Sequence, residues 1–129
     1  PLSLFSLLYC VNTLKLPNKS FSPLEREYLM PLFVVTCTDN EGTVEKRLAI
    51  RPQHLERLQQ LDDEGRLIVA GAMPKDPANP QAGFYGSTII VDFDSREALD
   101  AWLQDEPFLK AGVYGQIEVK PFNKAFPKG

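Results

Sequence analysis

The chain has 129 residues, a length that favours one domain built around one ordinary hydrophobic core. Apolar residues make up 43% and charged residues 24%, both ordinary for a globular protein that needs no metal or disulfide staple. The formal net charge of -3 is spread along the chain, which argues against general nucleic-acid binding and against an acidic tail.

The N-terminal run from Leu2 to Val11 is apolar but short of the roughly 20 residues that span a bilayer. No Lys or Arg precedes it and no small-residue cleavage signal follows it, so it does not read as a secretory leader. Met30 stands directly before the first clear strand. We therefore expect residues 1–29 to be an upstream extension outside the fold, or else an arm that packs on the domain or a partner, and residues 30–126 to be the domain. Cys10 and Cys37 have no metal-ligand spacing and make no disulfide framework, so reduced thiols in the cytoplasm and no membrane association are expected.

Leu32 to Thr38 is a β-branched and aromatic run that predicts a strand, closed by a turn over Asp39-Asn40-Glu41-Gly42. A helical period follows. Val44, Leu48, Leu55 and Leu58 form one apolar stripe with Ile50, His54 and Leu61 beside it, and Glu45, Lys46, Glu56, Arg57 and Gln60 fall on the wet side. Thr43 is the expected N-cap and Gly65 the expected stop, while Pro52 predicts a kink or two short helices. Arg66 to Ala72 reads as a second strand, and the proline-rich stretch Met73 to Gly83 as a loop without regular structure. A third strand is expected over Phe84–Phe93. Asp94 or Ser95 then caps a helix over Arg96–Gln104 whose buried stripe is Ala98, Leu99, Trp102 and Leu103. Pro107 is expected to stop that helix, and Pro121 to end the pairing of a last strand over Val113–Lys120.

Strand, helix, strand, strand, helix, strand is the order of an α+β, ferredoxin-like βαββαβ fold, with both helices on one face of a four-stranded antiparallel sheet. Apolar residues sit on both faces of the strands, as in Phe33, Val35 and Cys37 against Leu32 and Val34. Two helices cover one face only, so a homodimer packed sheet to sheet is expected.

His54 is the only histidine, and it lies on or beside the apolar stripe of the first helix. Imidazole is the side chain that acts as acid and base near neutrality; the plain alternative is a core histidine bonded to a backbone carbonyl. One histidine without further ligands does not make a metal site. Arg47 and Arg51 flank the same helix face, as an anion clamp beside a base or as a surface ion-pair lace. Asp105 and Glu106 stand at the end of the second helix, where a carboxylate can orient an imidazole or be an exposed terminus in conflict with the helix dipole. Ser87, between Gly86 and Thr88, can hydrogen-bond a ligand or serve strand entry. There is no P-loop and no dinucleotide-binding glycine pattern.

Several segments resemble the motifs of the YciI-like, or YCII-related, proteins. These are Glu45-Lys46-Arg47-Leu48 with Arg51-Pro52 and His54-Leu55, Gly65-Arg66-Leu67 followed by Ala70-Gly71-Ala72-Met73-Pro74, and Ala82-Gly83-Phe84 with Gly86-Ser87-Thr88. Pro107-Phe108, Ala111-Gly112-Val113-Tyr114 and Val119-Lys120-Pro121-Phe122 continue the match in order. The resemblance implies a ferredoxin-like fold, a dimer of the dimeric α+β-barrel type, and an active site built on a histidine and an aspartate. The histidine maps onto His54. The aspartate maps onto Glu106, one methylene longer, with Asp105 as its neighbour, and the family's serine maps onto Ser87. One branch of the family acts as a dehydrochlorinase, and fold relatives include muconolactone isomerases. The expected function is a small-molecule lyase or isomerase without a cofactor. His54 moves a proton, Glu106 or Asp105 orients it, and Arg51, Ser87 and Arg47 hold the substrate. The alternative is a non-catalytic ligand-binding or regulatory module.

Overall fold

A computed structural model of the protein describes residues 31–128. The expectations for residues 1–29, Cys10 among them, lie outside the described residues. The elements are β1 (Leu32–Asp39), α1 (Val44–Asp63), β2 (Leu67–Pro74), a 3-10 turn (Pro80–Ala82), β3 (Phe84–Asp92), α2 (Arg96–Gln104), α3 (Pro107–Lys110) and β4 (Tyr114–Phe122). The strands form one sheet in the order β2-β3-β1-β4, every neighbouring pair antiparallel. The ferredoxin-like expectation therefore holds.

β1 runs through the middle of the sheet. Its alternation buries Phe33, Val35 and Cys37 towards the helices and leaves Leu32, Val34 and Thr36 half-buried on the other face. Val35 stands opposite Ile89 on β3 and Val119 on β4, and this row meets Leu58, Leu61, Leu99, Leu103 and Phe108 from the helical layer. Each such aliphatic or aromatic side chain contributes roughly 1.5–3 kcal/mol on burial.

Pro52 does not split α1: the helix is continuous from Val44 to Asp63. Proline removes the donor that would meet the Leu48 carbonyl, but both residues are exposed, so water can serve that carbonyl. Packing on either side, through Arg47 and through His54, Leu58 and Leu61, holds the axis together. Thr43 makes no side-chain cap; its hydroxyl donates to the Asn40 carbonyl at 2.7 Å and ties the turn instead. Gly65 does end the helix, at φ 73°, with its N–H on the Asp62 carbonyl and the Arg66 N–H on the Leu61 carbonyl.

Other expectations need correction. Leu48 and Leu55 are 36% and 40% exposed, and the buried residues of α1 are Arg47, His54, Leu58 and Leu61. Ala98 is exposed, and Leu99 and Leu103 bury the inner face of α2. The proline-rich loop contains a 3-10 turn, capped by the Asn79 side chain on the Gln81 N–H. Pro107 does more than stop a helix: it opens α3. Pairing of β4 continues through Pro121 to Phe122, opposite Phe33 and Leu32, because β4 is an edge strand and the missing donor can face outward.

Gly86 pairs with Thr38 across β1 at φ 154°, and a Cβ there would lie 1.7 Å from the Cys37 carbonyl oxygen. Only glycine allows β3 to approach β1 this closely next to Ser87. Gly86→Ala is expected to lose about 2 kcal/mol or more of stability through overpacking, read as a lowered urea midpoint. An unchanged midpoint would show that the strand yields without strain.

Candidate active site

The site is built on the sheet-facing side of α1. Arg47, Arg51, His54 and Leu58 follow one another at spacings of four, three and four residues, so they share one face of the helix. Beneath them lie β3, with Ser87, and α3, with Glu106 and Phe108. Arg47, His54, Leu58, Ser87 and Phe108 line a cavity of about 420 Å³ whose rim includes Leu48, Leu55 and Arg51, while Glu106 lies wholly buried behind it.

His54 is 6% exposed and Glu106 is wholly buried. The imidazole Nδ1 and Glu106 Oε1 are hydrogen-bonded at 2.6 Å. A carboxylate ion only accepts hydrogen bonds, so with Glu106 ionised the proton of this contact sits on Nδ1, and Nε2 is the nitrogen left to the cavity. Nε2 has no hydrogen-bond partner among the described residues. The ring is stacked on Phe108, with centroids 4.3 Å apart, and meets Tyr114 edge-on, so its tilt is fixed from two sides.

Glu106 is the N-cap of α3. Its Oε1 also accepts the Phe108 N–H, and the clash with the dipole of α2 expected from sequence is relieved because the acid begins the next helix. Its Oε2 accepts from Arg57 Nη1 at 3.3 Å. Arg57 is held in turn by the Trp102 carbonyl at 2.9 Å and lies over the Trp102 ring at 4.3 Å. The helical period assigns Arg57 to the wet side, whereas the structure half-buries it. Its one signal was the spacing of three residues from His54, which turns Arg57 towards the same end of α2.

Asp105 is exposed and pairs with Lys110 at 3.6 Å; the acid that meets His54 is Glu106. Arg47 is buried. Its Nη1 donates to both Asp39 oxygens at 3.0 and 3.2 Å, and its Nη2 donates to the Gly86 carbonyl and to Ser87 Oγ at 2.7 Å. The guanidinium lies over the rings of Phe84 and Phe108. Burial raises the Asp39 carboxyl above its ordinary range, and Arg47 counters that. Arg51 is exposed on the cavity wall and has no ion pair among the described residues.

Cys37 is a free buried thiol, pushed up to about 12 chiefly by burial, and so stays protonated and inert at neutral pH. Among the described residues no group of three or more His, Cys, Asp or Glu is placed to hold a metal ion, and no helix is long and apolar enough to cross a membrane.

Fold and site together define a ferredoxin-like α+β domain with a buried histidine–acid pair in the wall of a cavity. The chain belongs to the family defined by the YCII-related domain, whose sequence pattern matches residues 31–123. It is 50% identical over 97 residues to Protein YciI of Escherichia coli, covering 74% of this chain and 99% of that protein. It is 48% identical over 96 residues to an uncharacterised protein of Haemophilus influenzae, covering 73% and 98%. The 5-chloro-2-hydroxyhydroquinone dehydrochlorinase of Burkholderia phenoliruptrix, solved with 2,5-dihydroxybenzoquinone, shares the fold with a TM-score of 0.64 at 22% identity, covering 71% of this chain and 93% of that one.

Glu106→Gln keeps the side-chain shape but removes the charge that Arg57 and His54 Nδ1 face. It is expected to destabilise the fold by about 2–4 kcal/mol, measured by urea denaturation. Stability equal to the wild type would mean that the buried pairs add nothing net.

Proposed function

We propose that the protein is a small-molecule enzyme of the lyase or isomerase type, in which His54 Nε2 moves a proton on and off carbon. The reading rests on one observation: the 2.6 Å contact that fixes His54 Nδ1 on a buried carboxylate and leaves Nε2 free in a cavity wall. Glu106 orients the ring and stabilises the imidazolium formed when Nε2 takes a proton. Arg51, unpaired at the rim, attracts an anionic substrate group, and Ser87 holds a second polar group, backed by Arg47. Proton transfer of this kind requires no cofactor. Dehydrochlorination, the activity named for the similarly folded Burkholderia enzyme, is one reaction of this type. The proposal keeps the cytoplasmic setting expected from the thiols.

The rival reading, a non-catalytic binding module, calls for an exposed imidazole over a shallow pocket; a buried dyad favours catalysis. Cyclic enol lactones and halogenated hydroquinones, offered in deuterated water, test the difference by proton exchange or product formation. His54→Ala is expected to lose about a hundredfold or more in rate. Equal turnover by wild type and His54→Ala would remove His54 from the mechanism.

We also propose that the working form is a homodimer joined through the open sheet face. Val34, Ile90 and Val69 lie side by side across β1, β3 and β2 on that face, and Val69 is 55% exposed. A second copy is the cover that a sheet apolar on both sides calls for. Sedimentation velocity should then report twice the chain mass for the wild type and a shift towards single mass for Val34→Glu. A wild type that sediments as a single chain would end this proposal.

A further inference from the structure

The Ser87 hydroxyl has one proton and two lone pairs. Both lone pairs are engaged: Arg47 Nη2 donates to Ser87 Oγ at 2.7 Å and the Tyr114 hydroxyl donates at 2.8 Å. Burial pushes the Tyr114 phenol well above its ordinary range, so its proton stays in place and needs an acceptor. The Tyr114 hydroxyl also meets the Cys37 thiol, but sulfur is the weaker acceptor, and the phenol proton goes to Ser87 oxygen. The proton of Ser87 itself then has no acceptor among the described residues. The residue is 2% exposed and lines the same cavity as His54.

We propose that Ser87 is a fixed hydrogen-bond donor presented to the cavity and backed by the Arg47 charge, and that the site takes a small carbonyl compound whose oxygen becomes anionic as the neighbouring carbon loses its proton. This rests on the reading of His54 as the base and adds the substrate class to it. The polar side chains that line the cavity are Ser87, Arg51, His54 and Arg47, the last already paired with Asp39 and Ser87, while Leu55, Leu58 and Phe84 are among its apolar lining. Such a wall suits a flat, largely hydrocarbon molecule with acceptor oxygens. His54 Nε2 removes the proton from the carbon next to the carbonyl. The C–H electron pair becomes the new carbon–carbon π bond, and the carbonyl π pair moves onto oxygen as an enolate, which Ser87 meets. In isomerisation the imidazolium returns the proton to another carbon of the conjugated enolate. In elimination the enolate pair flows back and expels an anion from the next carbon, and the proton passes to that anion or to water. Donors placed in advance for a developing oxyanion are among the strongest contributions a site can make.

The probe is 4-nitrophenolate, a stable oxyanion on a flat ring whose absorbance reports its own ionisation. The full-length wild type is expected to bind it at mildly alkaline pH, and Ser87→Ala to bind it about tenfold or more weakly. Binding of 4-nitrotoluene, which has the same outline without the oxyanion, should change by less than about twofold in that variant, because a lost hydrogen bond and not a collapsed cavity is being read. Tyr114→Phe frees one Ser87 lone pair, lets the hydroxyl turn away, and should weaken 4-nitrophenolate binding by about threefold or more; it carries the test if Ser87→Ala does not fold. Equal affinity of the wild type and either folded variant, or no binding by the wild type, overturns the proposal. His54→Ala separates the two readings. Proton exchange that survives in His54→Ala would remove the base while the oxyanion subsite stands, and phenolate binding indifferent to Ser87 would remove the subsite while the base stands.

Discussion

The carboxylate of Glu106 lies wholly out of water, between α1 and α3. Burying an uncompensated charge costs several kcal/mol, so the fold must deliver partners to both of its oxygens. It does so from three directions: the His54 ring, the Arg57 guanidinium and the Phe108 backbone N–H. That requirement sets how far α1 can slide or rotate against the turn after α2. Once α1 is held there, the orientation of His54, the tautomer it adopts and the nitrogen it shows the cavity all follow.

A second buried network runs parallel to the first. Asp39, Arg47, Ser87 and Tyr114 connect β1, α1, β3 and β4 through hydrogen bonds of 2.7 to 3.2 Å. Phe108 stands between the two networks: the imidazole stacks on its ring at 4.3 Å, and the Arg47 guanidinium lies over that ring at 4.7 Å. An aromatic face attracts a cation, so the ring favours the guanidinium above it. The cavity therefore has the His54 imidazole at one wall and the Ser87 hydroxyl, backed by Arg47, at another. The chain thus combines a family fold with a cavity walled in part by buried polar groups. A glutamate takes the place where the family resemblance implies an aspartate, and its extra methylene still brings Oε1 to 2.6 Å from the ring.

How much of the site could be read beforehand depended on α1. Leu48 and Leu55 drew the apolar stripe towards themselves, yet the inward face carries Arg47 and His54. A hydrophobic count ranks arginine as outward-facing, and only the presence of Asp39, Ser87 and two aromatic rings makes its burial favourable. Arg57 likewise counts as outward-facing until Glu106 and the Trp102 carbonyl are brought to it. Asp105 and Glu106 could not be separated from sequence, since neighbours in a turn point different ways and the backbone of α3 decides which one turns inward.

The sequence by itself determined the order and kind of the main elements, because strand and helix periods, turn glycines and prolines are local signals. It also singled out His54, the acid pair and Ser87 through motif and residue chemistry. Tertiary structure alone decided that Pro52 rides within one unbroken helix, that Pro121 is tolerated on an edge strand, and that Glu106 is the buried acid. It alone decided, too, that Arg47 and Arg57 are interior groups. Those outcomes depend on partners brought from distant parts of the chain, and the free energy of burying a charge is set by those partners, which no local pattern records.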